Sequence, residues 1–386
     1  MNFNSFQLKE LASIQTGPFG SQLHKEDYCE IGTPIVTVEH LGQKNFRTQN
    51  LPKISDYDTE RLKKYLLKTG DIVFSRVGSV DRCSYVSAAF DKWLFSGRCL
   101  RVRVANETLN PEYLYYYFCQ NSIKEYVRSV AVGATMPSIN TKIMGELPIK
   151  LPNRKNQDQI VNILSSFDDK IEVNNKIIKN LEKIIQNSYI LMFENNPSYP
   201  MGKLGDILSL RQQKILAEDV GDLPYLPIDS IPCKSFAVET FRPSEDAKSS
   251  LIKFKRDDIL IGAMRVYFHR VIPAPIDGVT RSTCMVLTPK EKDYFSYCLI
   301  SCNQKSCIDY AQSISKGSTM PYAFWEKGLS EYNIKIPDRN TANTFQNFIL
   351  PMIRKIQSLA NENVSLNEIK SLLLPKLLSG EIELKH

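Results

Sequence analysis

The sequence predicts an α+β protein: two similar mixed α/β globular domains, each followed by a long helix, with the two helices forming an antiparallel coiled coil of pseudo-two-fold symmetry. Three observations predict it. The first is an internal repeat. Gly133–Arg154 reads GATMPSINTKIMGELPIKLPNR, and Gly317–Arg339 reads GSTMPYAFWEKGLSEYNIKIPDR. Both give Gly-x-Thr-Met-Pro, a mixed stretch, then apolar-Lys-apolar-Pro-x-Arg. The second is a pair of heptad seams of equal length and phase. The third is the Pro/Asn-rich linker Asn195-Asn196-Pro197-Ser198-Tyr199-Pro200, which stops a helix before the second half begins. The boundaries that follow are 1–152, 153–196, 197–337 and 338–386.

In chain order, each half opens alike, with Leu8-Lys9-Glu10-Leu11 and Lys203-Leu204-Gly205-Asp206. Asp71-Ile72-Val73-Phe74 and Asp258-Ile259-Leu260-Ile261 read as short buried strands. Gly97-Arg98 and Thr280-Arg281 each precede a strand-like alternation, CLRVRV and TCMVLT. A Tyr-rich helical segment follows in each half, Pro111–Val130 and Asp293–Ile314, with Asn110 as N-cap and Pro111 at the first helical position.

The first seam is Ile160, Leu164, Phe167, Ile171, Asn174, Ile178, Leu181, Ile185, Ser188 and Met192. The second is Phe345, Ile349, Met352, Ile356, Leu359, Asn363, Leu366, Lys370, Leu373 and Leu377. Both hold the alternating four–three step of a coiled coil. Asn174 and Asn363 are the polar seam residues. If they face each other in an antiparallel pair, Ile160 meets Leu377 and Phe193 meets Thr344. They are therefore the register residues of the helix pair. Leu372–Leu378 is apolar almost throughout, and Pro375 is expected to end the regular helix.

Composition bounds the function. Over 386 residues, 49 Lys+Arg against 42 Asp+Glu give a net charge of +7, which permits nucleic-acid binding without demanding it. Residues 151–196 hold six cations and six anions, as expected of a helix that touches protein rather than phosphate. No run of 18 apolar residues exists, the N-terminus lacks the features of a secretory signal, and nine Cys fit reduced thiols. A cytoplasmic protein away from membranes is expected. No phosphate-binding GxxxxGK loop, dinucleotide GxGxxG turn or GxSxG elbow occurs. The four His (His24, His40, His269, His386) lack metal-ligand spacing with Cys. Cys298, Cys302 and Cys307 read as helical core. Asn196-Pro197-Ser198-Tyr199 reads as a helix stop rather than a methyltransferase loop. No catalytic residues and no metal are expected in this chain.

A duplicated globular unit, each copy followed by a long helix, resembles the DNA-specificity subunit of type I restriction–modification systems. The resemblance rests on residues 133–152 with their copy at 317–337, on QDQIVNILSSFDDKIEVNNKIIKNLEKIIQNSYILMF at 157–193, and on LLLPKLLSGEIEL at 372–384. It implies a non-enzymatic recognition subunit for double-stranded DNA. It also implies recruitment of two methyltransferase subunits that bind S-adenosylmethionine. Restriction/translocase subunits that use ATP and Mg can join them. The implied target is bipartite and, because the two halves differ, asymmetric. Two readers on one duplex face sit about 10 bp apart, leaving an unread gap of roughly 5–8 bp. The rival readings are a self-contained restriction or methyltransferase enzyme and a coiled-coil scaffold with no DNA role.

Candidate DNA-contacting residues follow from side-chain chemistry. The Gly-x-Thr-Met-Pro turns offer hydroxyls and backbone N–H groups to phosphate, which nominates Thr135 and Ser138 in the first half and Ser318, Thr319 and Tyr322 in the second. Arg76, beside Gly78-Ser79, ends a strand and can fork onto guanine, as can its expected counterpart Arg265. Ser79 joins Arg76. Arg98 and Arg281 are expected at equivalent positions before a strand. Ser21, in the loop Gly17–Ser21, and Arg211, Gln212 and Lys214 follow the opening strand of each half. The run Lys253-Phe254-Lys255-Arg256 reads as a solvated strand face.

Overall fold

A computed structural model of the chain describes residues 2–194, 196–248, 250–382 and 384, together with all their side chains except those of Ser21 and Lys25. The chain forms two compact units. One comprises Met1–Asp169 with Glu368–His386, the other Lys170–Asn367.

Each unit is built on a four-stranded antiparallel sheet with one strand order. In the first unit Ala12–Thr16 pairs with Cys99–Val104, which pairs with Ile72–Ser75, which pairs with Cys83–Tyr85. In the second, Leu208–Leu210, Cys284–Pro289, Ile259–Gly262 and Val271–Pro273 repeat that order. The middle strand is buried at every position in both units, the mark of a strand covered on both faces. A smaller sheet flanks each. Tyr28–Cys29, Lys53–Ile54, Thr33–Val36 and Leu94–Phe95 form it in the first unit, and Lys214–Ile215, Leu251–Phe254 and Gly278–Thr280 in the second. Lys253-Phe254-Lys255-Arg256 starts inside the last of these sheets. Phe254 is buried while Lys255 and Arg256 are exposed beyond the strand end. A two-stranded ribbon closes each unit, Asn4–Gln7 with Pro148–Leu151 and Met201–Lys203 with Asn333–Lys335.

The Tyr-rich segments are helical, as expected, but each is two helices rather than one. Pro111–Cys119 and Asn121–Val130 are separated by Gln120, and Phe295–Cys302 and Lys305–Ser313 by a turn ending in Gln304. Both Gln residues sit at extended ψ, 137° and 141°, so the break itself is duplicated. Asn110 caps the first of these helices by accepting from the backbone N–H of Glu112 at 2.8 Å and Tyr113 at 3.3 Å. Cys298, Cys302 and Cys307 are core, and burial pushes the Cys302 thiol up to about 12.

The two long helices are Arg154–Tyr189, extended by a π turn over Ile190–Glu194, and Arg339–Ser379. Of the linker, Asn195 lies outside the described residues. Asn196 accepts from the Ser198 N–H at 3.0 Å. Every seam residue is buried or half-buried. Within the second unit Asn174 donates its side-chain amide to Asn363 Oδ1 at 2.9 Å, and Phe193 packs on Phe345 with ring centroids 4.9 Å apart. This stretch of the helix pair is antiparallel in the expected register. Within the first unit Ile160 and Leu164 share a core with Leu374, Leu377 and Leu378, and Lys370 pairs with Asp168 at 2.5 Å.

Pro375 does not end the second helix, which runs on to Ser379. A proline there forfeits the bond to the Ser371 carbonyl and costs about 3 kcal/mol. Burying Leu374, Leu377 and Leu378 is worth roughly 1.5–3 kcal/mol each, so packing wins.

The buried Asn pair yields a stability expectation. Asn363→Leu deprives the Asn174 amide of a buried acceptor and should cost about 1–3 kcal/mol, read as a lower urea midpoint. The double variant Asn174→Leu/Asn363→Leu should recover that loss, since two apolar groups leave no polar atom stranded.

Candidate nucleic-acid interface

In an antiparallel sheet the end of one strand lies beside the start of its neighbour. The loop after the opening strand, the hairpin after the middle strand and the turn before the long strand therefore share one end of the sheet. In the first unit these are residues 17–21, 76–82 and 96–98, and the Gly-x-Thr-Met-Pro turn joins them. Its residues Val132 and Ser138 bond each other's backbone at 2.8 and 2.9 Å, closing the loop, and Gly133 turns it at φ +109°. Gly78 N–H then donates to Pro137 O at 2.8 Å, and Ile139 N–H to Arg76 O at 2.9 Å. The second unit repeats each contact. Lys316 and Tyr322 close the loop at 2.9 and 3.0 Å, Gly317 has φ +101°, Arg265 N–H donates to Pro321 O at 2.7 Å, and Ala323 N–H to Ala263 O at 2.9 Å.

These bonds fix which residues are equivalent, and they correct two expectations. Arg76 matches Ala263, not Arg265. Arg265 stands where the first unit has Gly78, and both take positive φ, +51° and +75°. Likewise Arg76 N–H donates to Arg98 O and Ala263 N–H to Thr283 O, both at 2.8 Å, so Arg98 matches Thr283. Cys99 N–H donates to Ser96 O and Cys284 N–H to Arg281 O, so Arg281 matches Ser96. The physical reason is that hydrogen-bond register, not residue type, sets equivalence. The hairpins 76–82 and 263–270 differ by one residue and the turns 96–98 and 281–283 not at all, so the arginines simply stand at different points of one backbone frame. One frame thus carries different side chains at each equivalent point.

Arg211 is placed apart from the rest. Its guanidinium grips the buried Asp258 twice, Nε to Oδ2 at 2.7 Å and Nη2 to Oδ1 at 3.1 Å. Thr288 Oγ1 and Lys255 N–H complete that carboxylate at 2.7 Å each. The first unit has the same buried carboxylate, Asp71, gripped twice at 2.7 Å by Arg103. In the strand registers Ser13 lies opposite Arg103 and Ser209 opposite Thr288, so Arg103 matches Thr288 and Arg211 matches Gln15. The neutralising cation has moved to the neighbouring strand while the anion stayed. Arg211 therefore has a scaffold bond of its own, which commits its guanidinium to Asp258. Ser138 and Tyr322 also have scaffold bonds: Ser138 Oγ donates to Val132 O at 3.2 Å, and Tyr322 OH to Ser282 O.

The remaining candidates face outward. Thr135, Ser318 and Thr319 are exposed at the loop tips, flanked by the exposed Met136 and Met320. Arg98, Arg281, Gln212 and Lys214 are exposed, and Ser79 and Arg265 are half-buried. Arg76 is half-buried, its Nη1 donating to Gly97 O at 3.2 Å. The side chain of Ser21 lies outside the described residues. Beside the hairpin, Arg128 pairs with Asp81 at 2.6 Å. Burial pushes the Asp81 carboxyl up, but the Arg128 hydrogen bond and charge hold it net below its usual value.

Residue chemistry alone missed the hairpin tip Val266–Phe268. It is flanked by Arg265 and His269, both left-handed, and presents Tyr267 and Phe268 to solvent. Two adjacent aromatics between strands, with no turn-forming residue, were the available signal. No group of His, Cys, Asp and Glu among the described residues could hold a metal ion, and no helix among them is long and apolar enough to cross a membrane.

A duplicated sheet presenting two unlike loop clusters defines a class of two-headed recognition proteins. Residues 1–183 match the family model of the type I restriction modification DNA specificity domain. The type I restriction enzyme MjaIX specificity subunit of Methanocaldococcus jannaschii is 26% identical, over 98% of this chain and 93% of its own length. The HindI specificity subunit of Haemophilus influenzae is 22% identical, over 83% of this chain and 88% of its own. The crystal structure of a type I restriction–modification S subunit from M. genitalium shares the fold. Its TM-score is 0.63 at 17% identity, covering 97% of this chain and 96% of that one. Residues 1–183 thus carry a type I restriction modification DNA specificity domain, and over nearly its whole length the chain is similar to type I specificity subunits, the recognition components of those systems.

Proposed function

We propose that the chain reads an asymmetric bipartite site on double-stranded DNA, one half-site per loop cluster. The observation that supports this reading is the pair of equivalent loop constellations carrying non-equivalent side chains: Arg76 against Ala263, Gly78 against Arg265, Arg98 against Thr283 and Ser96 against Arg281. A shared backbone frame would dock the duplex in one way, and the exchanged side chains would read different bases. Arg76, Arg98, Arg265 and Arg281 are the base or phosphate contacts, with Ser79, Thr135, Gln212, Lys214, Ser318 and Thr319 positioning phosphates.

Domain boundaries at 152, 196 and 337 follow from the repeat, and the two long helices act as the spacer that sets the unread gap. Each begins in one unit and ends in the other, and the Asn174–Asn363 contact favours a single antiparallel register. The chemistry belongs to partners: two methyltransferase subunits carrying S-adenosylmethionine and, in a restriction assembly, translocase subunits using ATP and Mg. The assembly works in the cytoplasm, where free thiols persist; all nine cysteines are unpaired.

The test is binding of the chain, with its methyltransferase partner, to duplex DNA across a salt series. Log affinity should fall linearly with log salt. Lys214→Ala should weaken binding to all sequences and flatten that slope by about 1, whereas Arg265→Ala should relax preference at one position. A scaffold without a DNA role would show no such slope. A self-contained enzyme would transfer methyl groups without a partner.

A further inference from the structure

Each unit exposes a phenylalanine at the loop end of its main sheet, and each ring carries an arginine on its face. In the first unit Phe19 is 62% exposed, with the Arg76 guanidinium 5.9 Å from its centroid. Gly97 permits that placement, since a Cβ there would stand 2.6 Å from Phe19 Cβ. In the second unit Phe268 is 41% exposed, with the Arg270 guanidinium 5.2 Å from its centroid. Both arginines are pinned by a backbone carbonyl, Arg76 by Gly97 O at 3.2 Å and Arg270 by Ile228 O at 2.8 Å.

The two couples are not copies of one ancestral pair. Phe19 follows the opening strand, while Phe268 sits on the hairpin after the middle strand. Ser75 N–H donates to Arg82 O and Gly262 N–H to Arg270 O, both at 2.9 Å, so Arg270 matches Arg82 and Arg76 matches Ala263. Duplication would have preserved a structural pair in one place. Here the same chemical device has been built twice from different residues at the same end of the same sheet. The second device also holds Arg265 and His269 at φ +51° and +55°, a left-handed backbone that L side chains adopt only at a cost. His269 Nε2 is anchored to Asn303, 2.8 Å from its Oδ1. An exposed ring carrying a guanidinium on its face, Arg76 on Phe19 and Arg270 on Phe268, suits a duplex rather than an apolar protein face.

We propose that Phe19 and Phe268, each braced by its stacked arginine, are apolar readers of the thymine 5-methyl group in the major groove, one in each half-site. The stacking fixes the ring, and the ring edge packs on the methyl that distinguishes thymine from every other base. This rests on the bipartite DNA reading above and adds to it the base each device selects.

The test uses the full chain with its methyltransferase partner and a library of randomised duplexes. Enriched duplexes are then resynthesised with thymine replaced by uracil, one position at a time. Wild type should lose about fourfold in affinity at one thymine in each half-site, the weight of one methyl-sized apolar group. Phe19→Ala should erase the thymine–uracil difference in one half-site only, and Phe268→Ala in the other. Phe19→Leu and Phe268→Leu should keep part of it and guard against misfolding. The uracil scan of wild type needs no variant at all. Uracil tolerated everywhere, half-sites without thymine, or alanine variants that keep the difference while losing the methyltransferase would each overturn the proposal. A library that yields no enrichment would overturn the bipartite DNA reading itself, a distinguishable failure.

Discussion

Asp258→Ala should cost the second unit about 3–5 kcal/mol, the scale for leaving one member of a buried ion pair alone. Arg211 would keep its charge beside a strand whose carboxylate is gone, and Thr288 Oγ1 and Lys255 N–H would lose their shared acceptor. Urea unfolding should show the loss as an early transition. Arg211→Met should fall in the same range, because Asp258 would stay charged and buried. The first unit offers the matched control: Arg103→Met should destabilise through Asp71 although it sits on a different strand. Equal losses would establish that the anion is the fixed point of the frame and the cation is interchangeable. A neutral Arg211 substitution, combined with altered DNA preference, would restore that residue to the contact set.

Exchange of residues 1–152 for the corresponding unit of another specificity subunit should change one half-site completely and leave the other untouched. The expectation follows from the frame. Each unit holds its loops with its own sheet, its own closing ribbon and its own Gly-x-Thr-Met-Pro turn, so no loop bond described for the first unit draws on the sheet of the second. Mapping methylated bases in cells carrying the chimera reads the result. A change in both halves would mean that the loops are set by the partner unit.

Much of this fold was legible in the sequence because it rests on periodicity. A four–three seam and a repeated turn are local signals, and Asn174 and Asn363 mark the register in the sequence itself. The tyrosine segments gave helix, but not the breaks at Gln120 and Gln304, because each residue there is a competent helix former and only packing separates the two pieces. Pro375 misled for the converse reason: local chemistry says stop, while three buried leucines carry the helix onward. The interface was legible by region and not by residue. Arg76 and Arg265 look alike in the sequence, yet sheet register sets them two residues apart. Arg211 looked free because its partner, Asp258, is 47 residues downstream. Phe268 was hidden because exposure, not identity, is what distinguishes it.

This chain alone should dictate where a partner's methyl group lands. The most direct test is single-molecule mapping of methylated bases in cells that hold the methyltransferase partner with and without this chain. An asymmetric two-part methylated motif with a fixed gap should appear, and only when the chain is present. The same motif surviving without the chain, or methylation without any two-part pattern, would contradict it.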